Sequence, residues 1–157
     1  MSDPSSPSAA YAAGLRMLAR RELSVAQIRD RLARRGFVPA AIDGAVSRLV
    51  ASGTLDDVRV ARAVARTRAN VKRQGRSRVV RELAVIGIAR ETAEQVIAEV
   101  FGELDESSLL EQALTRRLRG TVSLRDPAAR RRVLAALVRQ GFAPEAILRA
   151  MRGRTRA

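Results

Sequence analysis

Apolar and polar positions along this chain recur with helical spacing, and the pattern itself is repeated. Ile28 and Leu32, Val79 and Leu83, and Val133 and Leu137 are pairs four residues apart, and each pair ends four residues before a glycine: Gly36, Gly87 or Gly141. Side chains at i and i+4 share one face of a helix, so each pair marks the apolar stripe of one. A glycine just past the last periodic residue is a helix stop, because it enters left-handed backbone at no steric cost. After the glycine stands an apolar residue, Phe37, Ile88 or Phe142, expected to tuck under the corner. Arg35-Gly36-Phe37-Val38-Pro39-Ala40-Ala41-Ile42 and Gln140-Gly141-Phe142-Ala143-Pro144-Glu145-Ala146-Ile147 align over eight positions at an offset of 105; Ile86-Gly87-Ile88-Ala89 is a weaker copy at an offset of 51.

Adding the helix upstream of each anchor predicts three-helix units. The first has helices over 10–21, 24–35 and 39–51, the second over 56–74, 77–86 and 90–101, the third over 106–118, 126–140 and 144–151. Ser24, Asp56, Ser77 and Asp126 stand where N-caps belong, and Pro127 suits the first helical position. No stretch alternates as a strand does. The expected fold is therefore all-α: about nine helices as tandem three-helix repeats over 10–52, 53–104 and 105–152, stacked in an elongated curved array with hinges near Gly53 and Gly102. Residues 1–9, with Pro4 and Pro7, are expected to be a disordered tail and 153–157 a basic one.

Composition narrows the chemistry. Cysteine and histidine are both absent, which removes thiolate nucleophiles, imidazole bases, disulfides and ordinary transition-metal sites, and fits a reducing cytoplasm. No apolar run reaches the ~18 residues of a membrane span. Asp56 and Asp57 are the best carboxylates for catalysis, but neighbours on a helix point about 100° apart, so Asp56 is assigned as a helix cap. No catalytic residue, metal, cofactor or small-molecule substrate is expected.

Charge then points to the partner. Thirty basic residues oppose sixteen acidic ones, a net charge of +14, and Lys72 is the only lysine. Such a balance attracts polyanions, and planar guanidinium suits phosphate and carboxylate, although codon composition also favours arginine over lysine in some genomes. With only Tyr11, Phe37, Phe101 and Phe142 as aromatics, stacking on unpaired bases is disfavoured and phosphate becomes the expected target. From Arg59 to Arg81 there are nine basic residues and no acid. On the helix from Asp56, Val60, Val64 and Val71 fall on one side and Arg59, Arg62, Arg66 and Arg73 on the other, which predicts a basic contact stripe opposite an apolar one. The bland alternative is the solvated face of an amphipathic helix. Arg130 and Arg131, with Arg132, and the C-terminal Arg152 and Arg154 are secondary basic candidates.

Three segments carry a resemblance. Leu15-Arg16-Met17-Leu18-Ala19-Arg20-Arg21-Glu22-Leu23-Ser24 leads to the first corner. Leu55-Asp56-Asp57-Val58-Arg59-Val60-Ala61 enters the long middle helix, and Gly75-Arg76-Ser77-Arg78-Val79-Val80-Arg81-Glu82-Leu83 precedes Gly87-Ile88. In order and spacing they resemble the RecX family of bacterial regulators of the RecA recombinase, over about residues 10–152. The chain departs at Val60, where the family usually has an aromatic, and through most of the third unit. The resemblance implies tandem three-helix repeats and a non-enzymatic regulator of homologous recombination and DNA repair, associated with the SOS response. Such a protein lodges in the groove of the RecA filament on DNA and inhibits the recombinase by limiting filament growth or favouring disassembly. On that reading Arg59, Arg62, Arg66, Arg73, Arg76 and Arg78 contact the groove or phosphate, and direct DNA binding is weak. The competing expectation is an architectural protein that grips duplex or single-stranded DNA phosphates directly. Its corners would enter the major groove, but the helix over 39–51 carries only Arg48 as a long basic side chain.

Overall fold

The computed structural model describes residues 3–119 and 123–156. Among them the chain forms nine α-helices and no strand: α1 Pro7–Leu18, α2 Val25–Arg34, α3 Pro39–Ala51, α4 Asp57–Arg66, α5 Arg76–Val85, α6 Arg90–Gly102, α7 Glu106–Arg117, α8 Pro127–Arg139 and α9 Pro144–Arg156. This is the all-α tandem repeat that the periodicity predicts.

The three glycine corners are built alike. Gly36, Gly87 and Gly141 have φ of 88°, 79° and 105°. In each, the next residue donates its backbone N–H five residues back: Phe37 to Leu32, Ile88 to Leu83 and Phe142 to Leu137, at 3.0–3.2 Å. This bond satisfies a carbonyl that the ending helix leaves free, and the apolar donor folds beneath the turn. Phe37, Ile88 and Phe142 are all buried.

Differences from expectation lie at helix ends. Ser6 accepts from the Ala9 N–H and Pro7 occupies the first turn, so α1 begins inside the stretch expected to be a tail. The Pro4 carbonyl also accepts from Val38 at 3.0 Å; residues 1 and 2 lie outside the described ones. At the other end α9 continues through Gly153 to Arg156, where a basic tail was expected, because Arg154 binds the Glu111 carboxylate at 2.7 Å and anchors the last turn; residue 157 is not described. Ser77 is not a cap. α5 starts one residue earlier, the Gly75 carbonyl accepts from Val79, and the Ser77 hydroxyl donates to the Gly141 carbonyl at 3.1 Å.

The helix expected over 56–74 changes pitch midway. After α4 the residues Thr67–Val71 form a π-helical turn, with Lys72 N–H bonded to the Thr67 carbonyl, and Arg73 ends it in left-handed backbone at φ 50°. A non-glycine residue there costs about 1–2 kcal/mol, and the Gln140 side chain secures the turn by donating to the Arg73 carbonyl at 2.7 Å. The wider turn rotates everything after it. Val60 of the expected stripe is buried, beside a row of Ala61, Ala65 and Ala69, but Val71, placed on that stripe by a regular helix, is exposed.

Packing gathers the chain into two compact units that divide the middle repeat between them. One comprises the chain as far as Ala61 together with Leu83–Ala93. Its core includes Ile28, Leu32, Ala45 and Leu49, and α1 approaches α3 so closely that a Cβ on Gly14 would lie 2.8 Å from Leu49 Cδ1. Here the N-terminus of α2 is seated on the second corner. Ser24, fully buried, forms a capping box with Gln27 and donates its hydroxyl to the Ile86 carbonyl, while a Cβ on Gly87 would meet Ala26 Cβ at 2.3 Å. The other unit comprises Arg62–Glu82 and the chain from Glu94 onward. The same arrangement recurs there one repeat later, with Gly75 N–H on the Gln140 carbonyl at 2.9 Å and Ser77 on that of Gly141. Repeats of this size bury too little alone, which is why α2 and α5 are each anchored on the corner of the repeat that follows.

Candidate polyanion-binding surface

Asp56 caps α4 as expected, accepting from the Arg59 N–H at 3.1 Å. Its neighbour Asp57 does something the sequence does not reveal: its carboxylate accepts from the Val25 N–H at 2.8 Å and so helps to cap α2, a different helix. Both carboxylates serve helix ends.

The six arginines expected to contact the groove or phosphate divide by what holds them. Arg59 is fully engaged: its guanidinium meets Glu22 at 2.9 and 3.3 Å and donates to the Gly53 and Thr54 carbonyls at 3.0 Å each. The Glu22 hydrogen bonds raise its pKa further above the ordinary value; desolvation opposes this, and the charges of Glu22 and Asp56 add to it. Arg62 forms a two-pronged pair with Glu99, at 2.6 and 2.9 Å. Those hydrogen bonds hold the Glu99 carboxyl below its usual range, outweighing burial, with the charges of Arg62 and Arg66 acting the same way. Such fork-on-fork geometry fixes both side chains.

The others are held more loosely. Arg66 lies 3.6 Å from Glu103, both well exposed. Among the described residues the Arg73 guanidinium meets only the neutral Gln112, at 3.2 Å. Arg76 pairs with Glu106 at 2.6 Å and lies over the Phe101 ring, 5.4 Å from its centre. Arg78 shares the Glu82 carboxylate with Arg68. The stripe is therefore not the uncompensated row that a stretch without acids suggests. Glu22, Glu99 and Glu103 reach it from distant parts of the sequence, and a local count of charges misses them.

A second grouping was hidden for the opposite reason. In the unit that contains α7 and α8, Lys72, Arg78, Arg116, Arg117 and Arg139 line one open cavity of about 480 Å³, with Gln74 and Gln140. Arg116 also borders a neighbouring cavity of about 340 Å³ with Arg73 and Arg119. Of these cations Arg117 donates to Gln140 at 3.1 Å and Arg78 is paired, while Lys72, Arg116 and Arg139 are exposed. The π turn and the left-handed Arg73 bring Lys72 to this concavity, and no periodicity rule signals that.

Of the secondary candidates, Arg130, Arg131 and Arg152 are exposed, whereas Arg154 is bound to Glu111 and Thr115. Arg48, the one long cation on α3, lies over the Tyr11 ring at 4.0 Å, so that helix has no free arginine for a DNA groove. Among the described residues no three potential metal ligands cluster, and no helix is long and apolar enough to cross a membrane.

The geometry can be set beside known proteins. Family models described as "RecX, first three-helix domain" and "RecX, second three-helix domain" match residues 10–49 and 56–97. The chain belongs to the RecX family. The regulatory protein RecX of Treponema pallidum is 34% identical over 83% of this chain and 82% of its own length. That of Trichlorobacter lovleyi is 33% identical over 94% and 96%. In three dimensions the chain is similar to the crystal structure of RecX from Lactobacillus salivarius, with a TM-score of 0.80, 18% identity and coverage of 96% and 97%, a likeness of fold. The match of the first two repeats accords with the shared build of their corners, and RecX relatives are named as regulatory proteins.

Proposed function

We propose that this chain is a non-enzymatic regulator of homologous recombination and DNA repair that acts in the cytoplasm. It binds in the groove of the RecA filament on DNA and inhibits the recombinase by limiting filament growth or favouring disassembly. The observation that carries the reading is the convergence of Lys72, Arg78, Arg116, Arg117 and Arg139 on one concave surface beside Arg73, in a member of the RecX family. A nucleoprotein groove offers both acidic side chains and phosphate, and guanidinium recognises either.

On this reading Arg66, Arg73, Arg76 and Arg78 exchange weak internal partners for those of the filament. The Arg66–Glu103 and Arg76–Glu106 pairs are exposed and contribute little to folding, and Glu82 keeps Arg68 when Arg78 leaves it, so the exchange is inexpensive. Arg59 and Arg62 position α4 instead. The experiment is a titration of the purified protein into a cognate recombinase filament on single-stranded DNA, with ATP hydrolysis followed. A fall that depends on molar ratio, blunted by changing Arg66, Arg73 and Arg78 to Glu, supports the proposal. Undiminished hydrolysis at saturating protein removes it.

A further inference from the structure

A separate concentration of charge lies in the first repeat. Arg16, Arg20, Arg21, Arg31 and Arg35, with Met17, line a cavity of about 250 Å³. Arg16 belongs to the last turn of α1, Arg31 to that of α2 and Arg35 to its C-cap, while Arg20 and Arg21 follow α1. Among the described residues none of the five makes an ion pair. The two acids nearest in sequence are engaged elsewhere, Glu22 with Arg59 at 2.9 Å and Asp30 with Arg34 at 3.0 Å.

Basic residues at helix C-termini have an ordinary explanation, since each helix end carries about −0.5 of an elementary charge. Two such ends supply roughly −1 against five guanidinium groups. About four positive charges remain in one concavity, which repel one another unless a multivalent anion enters. The lining also says what kind. It has no aromatic face to stack a base and no side-chain acceptor to read a base edge, and Tyr11 is covered by Arg48. Guanidinium forks match phosphate oxygens.

We infer that this five-arginine cavity is a second binding site, which takes closely spaced phosphate groups, without preference for base sequence. The source is either the backbone of a nucleic-acid strand or a free polyphosphate. The site lies in the first repeat and needs no recombinase, so it stands or falls independently of the filament reading.

The test uses the full chain, a labelled single-stranded oligonucleotide and fluorescence anisotropy across a salt series. Changing Arg16, Arg20 and Arg31 to Gln is expected to weaken binding about tenfold or more and to flatten the log–log salt slope by about 2, roughly 0.7 for each phosphate no longer neutralised. Because Arg31 is half-buried, the exposed pair Arg20→Gln and Arg21→Gln is measured alongside, with a smaller loss expected. Thermal melting of the exposed pair should show no fall in stability, since like charges have been removed. Arg90→Gln, Arg125→Gln and Arg149→Gln together change net charge equally at exposed positions elsewhere, and should cost far less affinity. Tripolyphosphate added as competitor separates the sources. Displacement that is weaker per phosphate than by unlabelled oligonucleotide identifies a strand, and stronger displacement identifies a free polyphosphate. The inference is overturned if neither probe binds, if both site variants keep wild-type affinity and slope, or if the control loses as much as they do.

Discussion

Glu99 and Arg62 show how single residues on this surface trade partner binding for position. Because hydrogen bonds from Arg62 hold the Glu99 carboxyl below its ordinary pKa of 4.5, the ionised form is favoured in the folded state. The stabilisation is present above that ordinary value and is lost as pH falls through it toward the lowered one. Melting temperature followed from neutral to acid pH should therefore fall more steeply below about 4.5 in the wild type than in Glu99→Gln, which lacks the titrating group. Parallel curves would mean that the pair contributes nothing to folding. The arginines themselves were legible as candidates in the sequence, and their partners were not. Arg62 and Glu99 are 37 residues apart, and the spacing rules that pair charges along one helix say nothing about a second helix.

At the scale of the element, what could be read is what repeats. Apolar pairs at i and i+4 followed by glycine located all three corners, because the same stripe, stop and buried apolar residue recur with the same backbone bond. Helix ends were less legible where tertiary contacts override the local signal. Ser77 has the chemistry of a cap, but its hydroxyl is drawn to the Gly141 carbonyl, and a π turn shifts the phase of the middle helix. The glycines give a graded test. At Gly75 a Cβ would lie 2.3 Å from the Gly141 carbonyl oxygen, so Gly75→Ala should destabilise by about 3 kcal/mol. Gly36 has left-handed backbone but open space, so its Ala variant should lose only about 1–2 kcal/mol. Gly153, helical and unobstructed, should gain about 0.5–1 kcal/mol. Chemical denaturation of the three variants checks the order, and equal losses at Gly75 and Gly36 would show that the seat on the third corner is unimportant.

Across the whole molecule the excess charge is neither spread evenly nor confined to the stretch where the sequence concentrates it. Of the nine basic residues between Arg59 and Arg81, several are met by carboxylates from other parts of the chain, whereas arginines that are scattered in the sequence converge on cavities once the helices are packed. Net charge was therefore a sound guide to the class of partner and a poor guide to the residues. Convergence through folding is a tertiary property, and only repetition of structure, not of charge, was written locally. The central proposal is that this surface answers to a nucleoprotein filament and not to DNA alone. It is tested most directly by measuring, at one salt concentration, binding of the full chain to single-stranded DNA coated with the cognate recombinase and to the same DNA bare. The account predicts binding to the coated strand that is tighter by about tenfold or more, roughly 1.4 kcal/mol; equal or weaker binding to it would contradict the account.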